Sequence, residues 1–129
     1  MKKPIVIPRE VKIHVSRKDI DTGKFGDPSS CAIAKAIKNK LGDHPDVDDE
    51  GIKITLPCGT IAIYDIPNRA VLFIGKFDAI EHLNERVYNA DGFYVRDMTA
   101  KEYKAAQTKA RKALKPFTFV ARLRSAEWS

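Results

Sequence analysis

The run Asp27-Pro28-Ser29-Ser30-Cys31-Ala32-Ile33-Ala34-Lys35-Ala36-Ile37-Lys38-Asn39-Lys40-Leu41-Gly42 constrains the fold more than any other stretch. Ile33, Ile37 and Leu41 recur every fourth residue, so on a helix they stack into one apolar stripe with Ala34 beside it. Asp27 or Ser29 suits the cap, Pro28 the first turn and Gly42 the exit, which predicts a helix over 28–41. A helix with one apolar stripe must bury it against a second layer. The flanking sequence supplies that layer as strands, with the helix as their lid.

Val11, Ile13 and Val15 alternate with Lys12, His14 and Ser16, the pattern of a half-buried strand after an irregular or edge-strand lead over 1–8. Asp21 to Gly26 reads as a turn-rich loop, and Asp43 to Gly51 as an acidic loop. A second strand presents Ile52, Ile54 and Leu56 on one face; Pro57-Cys58-Gly59 connects it to a third, Thr60 to Tyr64. Pro67 and Asn68 open a second helix over 68–82, with Ala70, Phe73, Ile74, Phe77 and Ile80 on its core side. Asn89-Ala90-Asp91-Gly92 is a turn, and Phe93-Tyr94-Val95 has the composition of a short strand. Thr99 with Glu102 forms a capping-box pattern that starts a third helix over roughly 100–115, stopped by Pro116. Its apolar stripe, Tyr103, Ala106, Ala110 and Leu114, is thin. A last strand carries Phe117, Phe119, Ala121 and Leu123 on one face, and 125–129 reads as a loose tail.

Apart from 84–115 the order is strand, helix, strand, strand, helix, strand. That predicts an α+β, ferredoxin-like (split βαβ) fold: a four-stranded antiparallel sheet, two helices on one face and an extra helix inserted before the last strand. At 129 residues the chain reads as one domain, 1–129, with 79–115 as an insertion, and it is long enough for a core without staples.

The formal charge is +6, from 23 Lys and Arg against 17 Asp and Glu, which favours acidic partners as well as plain solubility. Two cysteines, Cys31 and Cys58, form no disulfide framework and no C-x-x-C, so reduced thiols in a cytosol are expected. The short apolar run near the N-terminus is cut by Pro4 and Pro8, so neither a secretion signal nor a membrane partner is expected.

Candidate chemistry is sparse. Asp46-x-Asp48-x-Glu50-Gly51 opens like a calcium loop, but the twelfth place, where a bidentate Glu is required, is Pro57. His14, His44, His82, Cys31 and Cys58 lack the paired spacings of zinc sites. No metal and no cofactor is therefore expected. Cys31 at a helix start has the position of an activated thiol, yet nothing nearby supplies a base, and a small half-buried packing role is the better expectation. No catalytic residue is assigned and no enzymatic activity is expected. The same helix start is an anion-binding candidate through Ser29, Ser30 and Lys24. A second candidate is the basic face of the third helix, Lys101, Lys104, Arg111, Lys112 and Lys115, offset only by Glu102. The open face of the sheet is expected to show Lys12, His14, Lys53, Thr55, Tyr64, Thr118, Arg122 and Arg124, a surface with one aromatic for stacking bases.

Val11-x-Ile13-x-Val15, Asp27-Pro28-Ser29-Ser30-Cys31 with Ile33-Ala34-x-Ala36, Phe77-Asp78 and Pro116-Phe117-x-Phe119 together resemble a group of small uncharacterised proteins of tailed bacteriophages. The group often has proline where this chain has Ala32, and joins its last two motifs by a shorter link than 79–115. The resemblance implies a phage accessory protein in the host cytoplasm and supplies no catalytic residues. The leading expectation is a non-enzymatic binding protein, directed at a host defence protein or a small anionic nucleotide signal. The alternative is nucleic-acid binding through the basic helix and sheet face. A homo-oligomer would favour the leading expectation, since decoy proteins form symmetric pockets between subunits.

Overall fold

The computed structural model describes residues 7–41, 44–56 and 59–128. Strand β1 (Glu10–Val15) leads into helix α1 (Arg17–Thr22) and then α2 (Ala32–Leu41). Strands β2 (His44–Val47), β3 (Ile52–Thr55) and β4 (Thr60–Asp65) follow, then helix α3 (Asn68–Ala79), which ends in a 3₁₀ turn, Ile80–His82. A hairpin of β5 (Arg86–Tyr88) and β6 (Tyr94–Asp97) precedes helix α4 (Ala100–Ala113) and the long strand β7 (Phe117–Trp128).

The α+β class holds, but the split βαβ arrangement does not form. The main sheet has five strands in the order β1-β7-β4-β3-β2, antiparallel throughout, and β5-β6 is a separate two-stranded sheet. The last strand, not the first, is interior. The reason is its length. The first half of β7 pairs with β1, from Val15↔Phe117 to Glu10↔Arg122, and its second half pairs with β4, from Asp65↔Arg122 to Thr60↔Trp128. The expected loose tail is therefore strand as far as Trp128. Ile63 faces Ser125 and Tyr64 faces Leu123, so Arg124 is the extra residue of a β-bulge, which bends this central strand.

The fifth strand, β2, lies in the expected acidic loop. Pro45 and Asp46 are poor strand formers in general, but β2 is an edge strand, where a proline withholds no ladder hydrogen bond. Helix α1 covers 17–20, for which the sequence predicts no element, and overlaps the expected loop at Asp21 and Thr22. Its signal is the capping box Ser16-x-x-Asp19, in which Asp19 N–H donates to Ser16 Oγ and Ser16 N–H to Asp19 Oδ2.

One core lies between the sheet and the helices. Val11, Ile13, Val15, Ile52, Ile54, Ala62, Phe119 and Ala121 point from the strands to the helix side, as the alternation requires. Helix α2 packs against both β1 and β2, the two edges of the sheet, so the sheet curls around it. Ala32, Ile33, Ala34, Ala36 and Ile37 are all buried, which makes α2 a core helix rather than a lid. It begins at Ala32; residues 28–30 form a turn instead of the expected first helical turn, and the expected exit at Gly42 falls outside the described residues. Helix α3 closes the other flank through a run of aromatic contacts, Phe25–Phe77 at 4.9 Å, Phe73–Phe77 at 5.8 Å and Phe73–Phe117 at 4.8 Å. Among the described residues no helix is long and apolar enough to cross a membrane.

Candidate functional site

Helix α4 carries no buried residue, so what holds it is polar. Tyr103 accepts from Leu83 N–H at 3.0 Å and donates to the Glu81 carbonyl at 2.7 Å, and Gln107 donates to the Ile80 carbonyl. Arg111 leaves the expected basic face. Its guanidinium donates to the carbonyls of Ile20 (2.7 Å) and Gly23 (2.9 Å) and lies 4.0 Å from the Phe25 ring centroid. Burial lowers its pKa from the usual value. Arg17 does the reciprocal work at the C-terminus of α4, donating to the carbonyls of Arg111 (2.7 Å) and Leu114 (2.8 Å). Arg111 is thus a clamp between α4 and α1, because on the helical wheel it borders the inward side of Tyr103, Gln107 and Leu114.

What remains outside is Lys101, Lys104 and Lys112 on one exposed face, with exposed Lys109 at its border and exposed Lys115 just past the helix. Glu102, the one acid of α4, does not neutralise them. It takes both arms of Arg96, at 2.6 and 3.0 Å, and also closes the Thr99 capping box. The Arg96 hydrogen bond is the main cause that holds its carboxyl down to about 2. Among the described residues no lysine lies within ion-pair distance of a carboxylate, so no lysine of α4 is compensated.

Next to the start of α4 stands the β5–β6 hairpin. Asn89 Oδ1 accepts from Asp91 and Phe93 N–H, and Gly92 takes the positive φ of 83° that the turn requires. The register puts Tyr88 opposite Tyr94 and Arg86 opposite Asp97 on one face, with Arg86 5.9 Å from the Tyr94 ring centroid. Val87 and Arg96 share the other face, the one that reaches Glu102. Tyr88, Phe93, Tyr94 and Val95 are 45%, 69%, 56% and 56% exposed. The turn and its following strand were legible in the sequence. Arg86-Val87-Tyr88, the β-prone triplet before the turn, was the signal for the missed half of the hairpin.

Ser29 and Ser30 of the expected helix-start anion site lie in the turn before α2. Asp27 Oδ1 already accepts from Ser29 Oγ (2.8 Å) and Ser29 N–H (3.0 Å), and the Asp27 carbonyl accepts from Ser30 and Cys31 N–H. Ser29 lowers the Asp27 pKa, so a carboxylate stands in this turn, and the exposed Lys24 acts on it in the same direction. Cys31 is 7% exposed and burial raises its thiol pKa. It lies on the helix side of the sheet, whereas His14 is on the open side, bonded to Thr118 Oγ1 at 2.9 Å, and His82 is exposed beyond α3. Asp48 caps the β2–β3 turn through Glu50 and Gly51 N–H. Among the described residues no three His, Cys, Asp or Glu side chains gather to hold a metal ion. Cys58 lies outside the described residues.

The open sheet face shows Lys12, His14, Lys53, Thr55, Thr118, Arg122 and Arg124, with Val120 44% exposed. Tyr64 is not there. The strand phase points it into the core at 2% exposure, where its hydroxyl donates to the Pro8 carbonyl at 2.8 Å. Arg122 pairs with Glu10 at 3.2 Å and Arg124 with Asp65 at 2.6 Å, so half of this face's cations are internally matched.

Comparison with protein-family models, curated proteins and solved structures finds no match. A last concave feature is a cleft of about 460 Å³ between α2, α3 and the β2–β3 turn. Ile33, Val71, Phe73 and Ile74 line it together with Asp27, Asp48, Asp49 and Asp78.

Proposed function

We propose that this protein acts by binding rather than by catalysis, and that its target is nucleic acid, engaged through the lysine face of α4. The observation that carries this reading is the absence of compensation: Lys101, Lys104 and Lys112 share an exposed face while the helix's one acid is spent on Arg96. Lysines on a rigid helix contact phosphates and release counterions, so binding depends steeply on salt.

The test is a fluorescence-anisotropy titration of labelled oligonucleotides at two salt concentrations, with the chain and with its Lys101→Glu/Lys104→Glu/Lys112→Glu variant. Arg111 is kept, since removing it would damage folding. The expected result is a salt slope that falls by roughly 0.9 for each duplex phosphate that the variant no longer neutralises. Binding that is independent of salt, or unchanged in the variant, would refute the reading.

The phage-protein resemblance supports an accessory role in the host cytoplasm. Counter-defence binding of a host protein is the second reading. It is favoured by the apolar cleft edged by Asp27, Asp48, Asp49 and Asp78, which suits a basic, apolar segment of a protein partner. A small anionic nucleotide is the weakest target, because the Asp27 carboxylate beside Ser29 would repel an anion at that turn.

A further inference from the structure

We propose that the β5–β6 hairpin is a self-association element, in which the Tyr88–Tyr94 face of one chain docks on the same face of a second copy. This goes beyond the nucleic-acid reading and does not depend on it. An isolated two-stranded hairpin is marginal in water, and this one contributes no buried residue to the core. Its position is nevertheless fixed, by Arg96 on Glu102 and by the Met98 N–H to the Glu85 carbonyl at 2.6 Å. A rigid platform therefore presents Tyr88, Phe93, Tyr94 and Val95 to solvent within one short segment. Among the described residues the other exposed large apolar side chains are Leu72 on α3 and Val120 on β7, one on each element.

Charge decides the occupant. The hairpin and its base carry both signs, Glu85, Asp91 and Asp97 with Arg86 and Arg96. A polyanion laid on the tyrosine face would meet Asp97 beside Tyr94 and Glu85 at the base of the same depression. A second copy related by a two-fold axis instead brings Arg86 of each chain to Asp97 of the other, the self-complementarity an isologous interface needs. Tyrosine, phenylalanine and arginine are also the residue types that interface cores favour. Tyr88 and Tyr94, each about half exposed, leave roughly 200 Å² of aromatic surface per copy on this face. That is below a standard interface, so the dimer is reversible and concentration-dependent.

Sedimentation equilibrium of the full chain, from low to several hundred micromolar, tests this. The weight-average mass is expected to rise toward twice the chain mass, and to stay at one chain mass in Tyr88→Ser/Tyr94→Ser with its circular dichroism unchanged. Arg86→Asp and Asp97→Arg are each expected to remain monomeric alone, and to associate one-to-one when mixed, since only the mixed pair sets opposite charges at both contacts. A wild-type chain that stays monomeric throughout would overturn the proposal. So would a dimer that persists in the tyrosine variant, mixed charge variants that do not associate, or association that requires added oligonucleotide.

Discussion

At the residue scale two glycines show how local space sets the sign of a substitution. Gly23 ends α1 against the start of α2, and a Cβ there would lie 2.6 Å from the Ala32 backbone nitrogen and 2.9 Å from the Asp19 carbonyl oxygen. Neither neighbour is a flexible side-chain tip. Gly23→Ala is therefore expected to destabilise by about 1–3 kcal/mol. Gly75 is exposed inside α3 with nothing within 4 Å of its would-be Cβ. Gly75→Ala removes only the entropy penalty of glycine in a helix and is expected to stabilise by roughly 0.5–1 kcal/mol. Urea unfolding reads both as opposite midpoint shifts at constant slope. A neutral Gly23→Ala would mean that α1 and α2 do not approach as closely as described. Cys31 illustrates the same dependence on surroundings. Helix position alone would activate it, but burial dominates and raises its pKa.

At the element scale the hairpin and α4 are joined through Glu102, and that junction is titratable. The Arg96 hydrogen bond, with the Thr99 cap, keeps Glu102 ionised down to about 2. The folded pKa lies below the unfolded one, so the junction contributes stability that is fully present above the ordinary carboxylate range and is lost as pH falls through about 2. Carboxyl-carbon NMR is expected to place the Glu102 midpoint near 2, and Arg96→Gln to move it up toward an unperturbed glutamate. A wild-type midpoint already in the ordinary range would show that the Arg96 fork is not formed in solution. The fork also explains why a helix with no buried residue keeps its place. Its capping box was visible in the sequence, but its partners Arg96, Arg17, Ile20 and Gly23 come from other elements.

At the scale of the whole molecule β7 joins the two halves of the sheet. Its residues Phe117 to Arg122 hold β1, and Arg122 to Trp128 hold β4. A chain ending at Leu123 loses the partners of Thr60, Ile61, Ala62 and Ile63, along with the Arg124 link to Asp65 and to the Glu50 carbonyl. It is expected to lose more than about 4 kcal/mol, or its cooperative thermal transition altogether. A melting curve unchanged by the truncation would return 125–129 to the status of a tail.

Local pattern was enough for β1, β3, β4, α3, α4 and the inward face of β7, because period-two and helical spacing act over a few residues and capping boxes over four. It also showed a basic α4. It did not separate Arg111 from the lysines, since the wheel places them side by side and only the carbonyls of α1 draw Arg111 inward. Nor did it reveal that β7 lies inside the sheet, that β2 extends it or that α2 is enclosed by it. Those features depend on pairings between strands distant in the chain, and on the phase in which Tyr64 meets Ile52 and Leu123. Strand order, enclosure and the matching of each cation are decided where long-range partners compete for the same edge or charge, and no spacing within one segment records that competition.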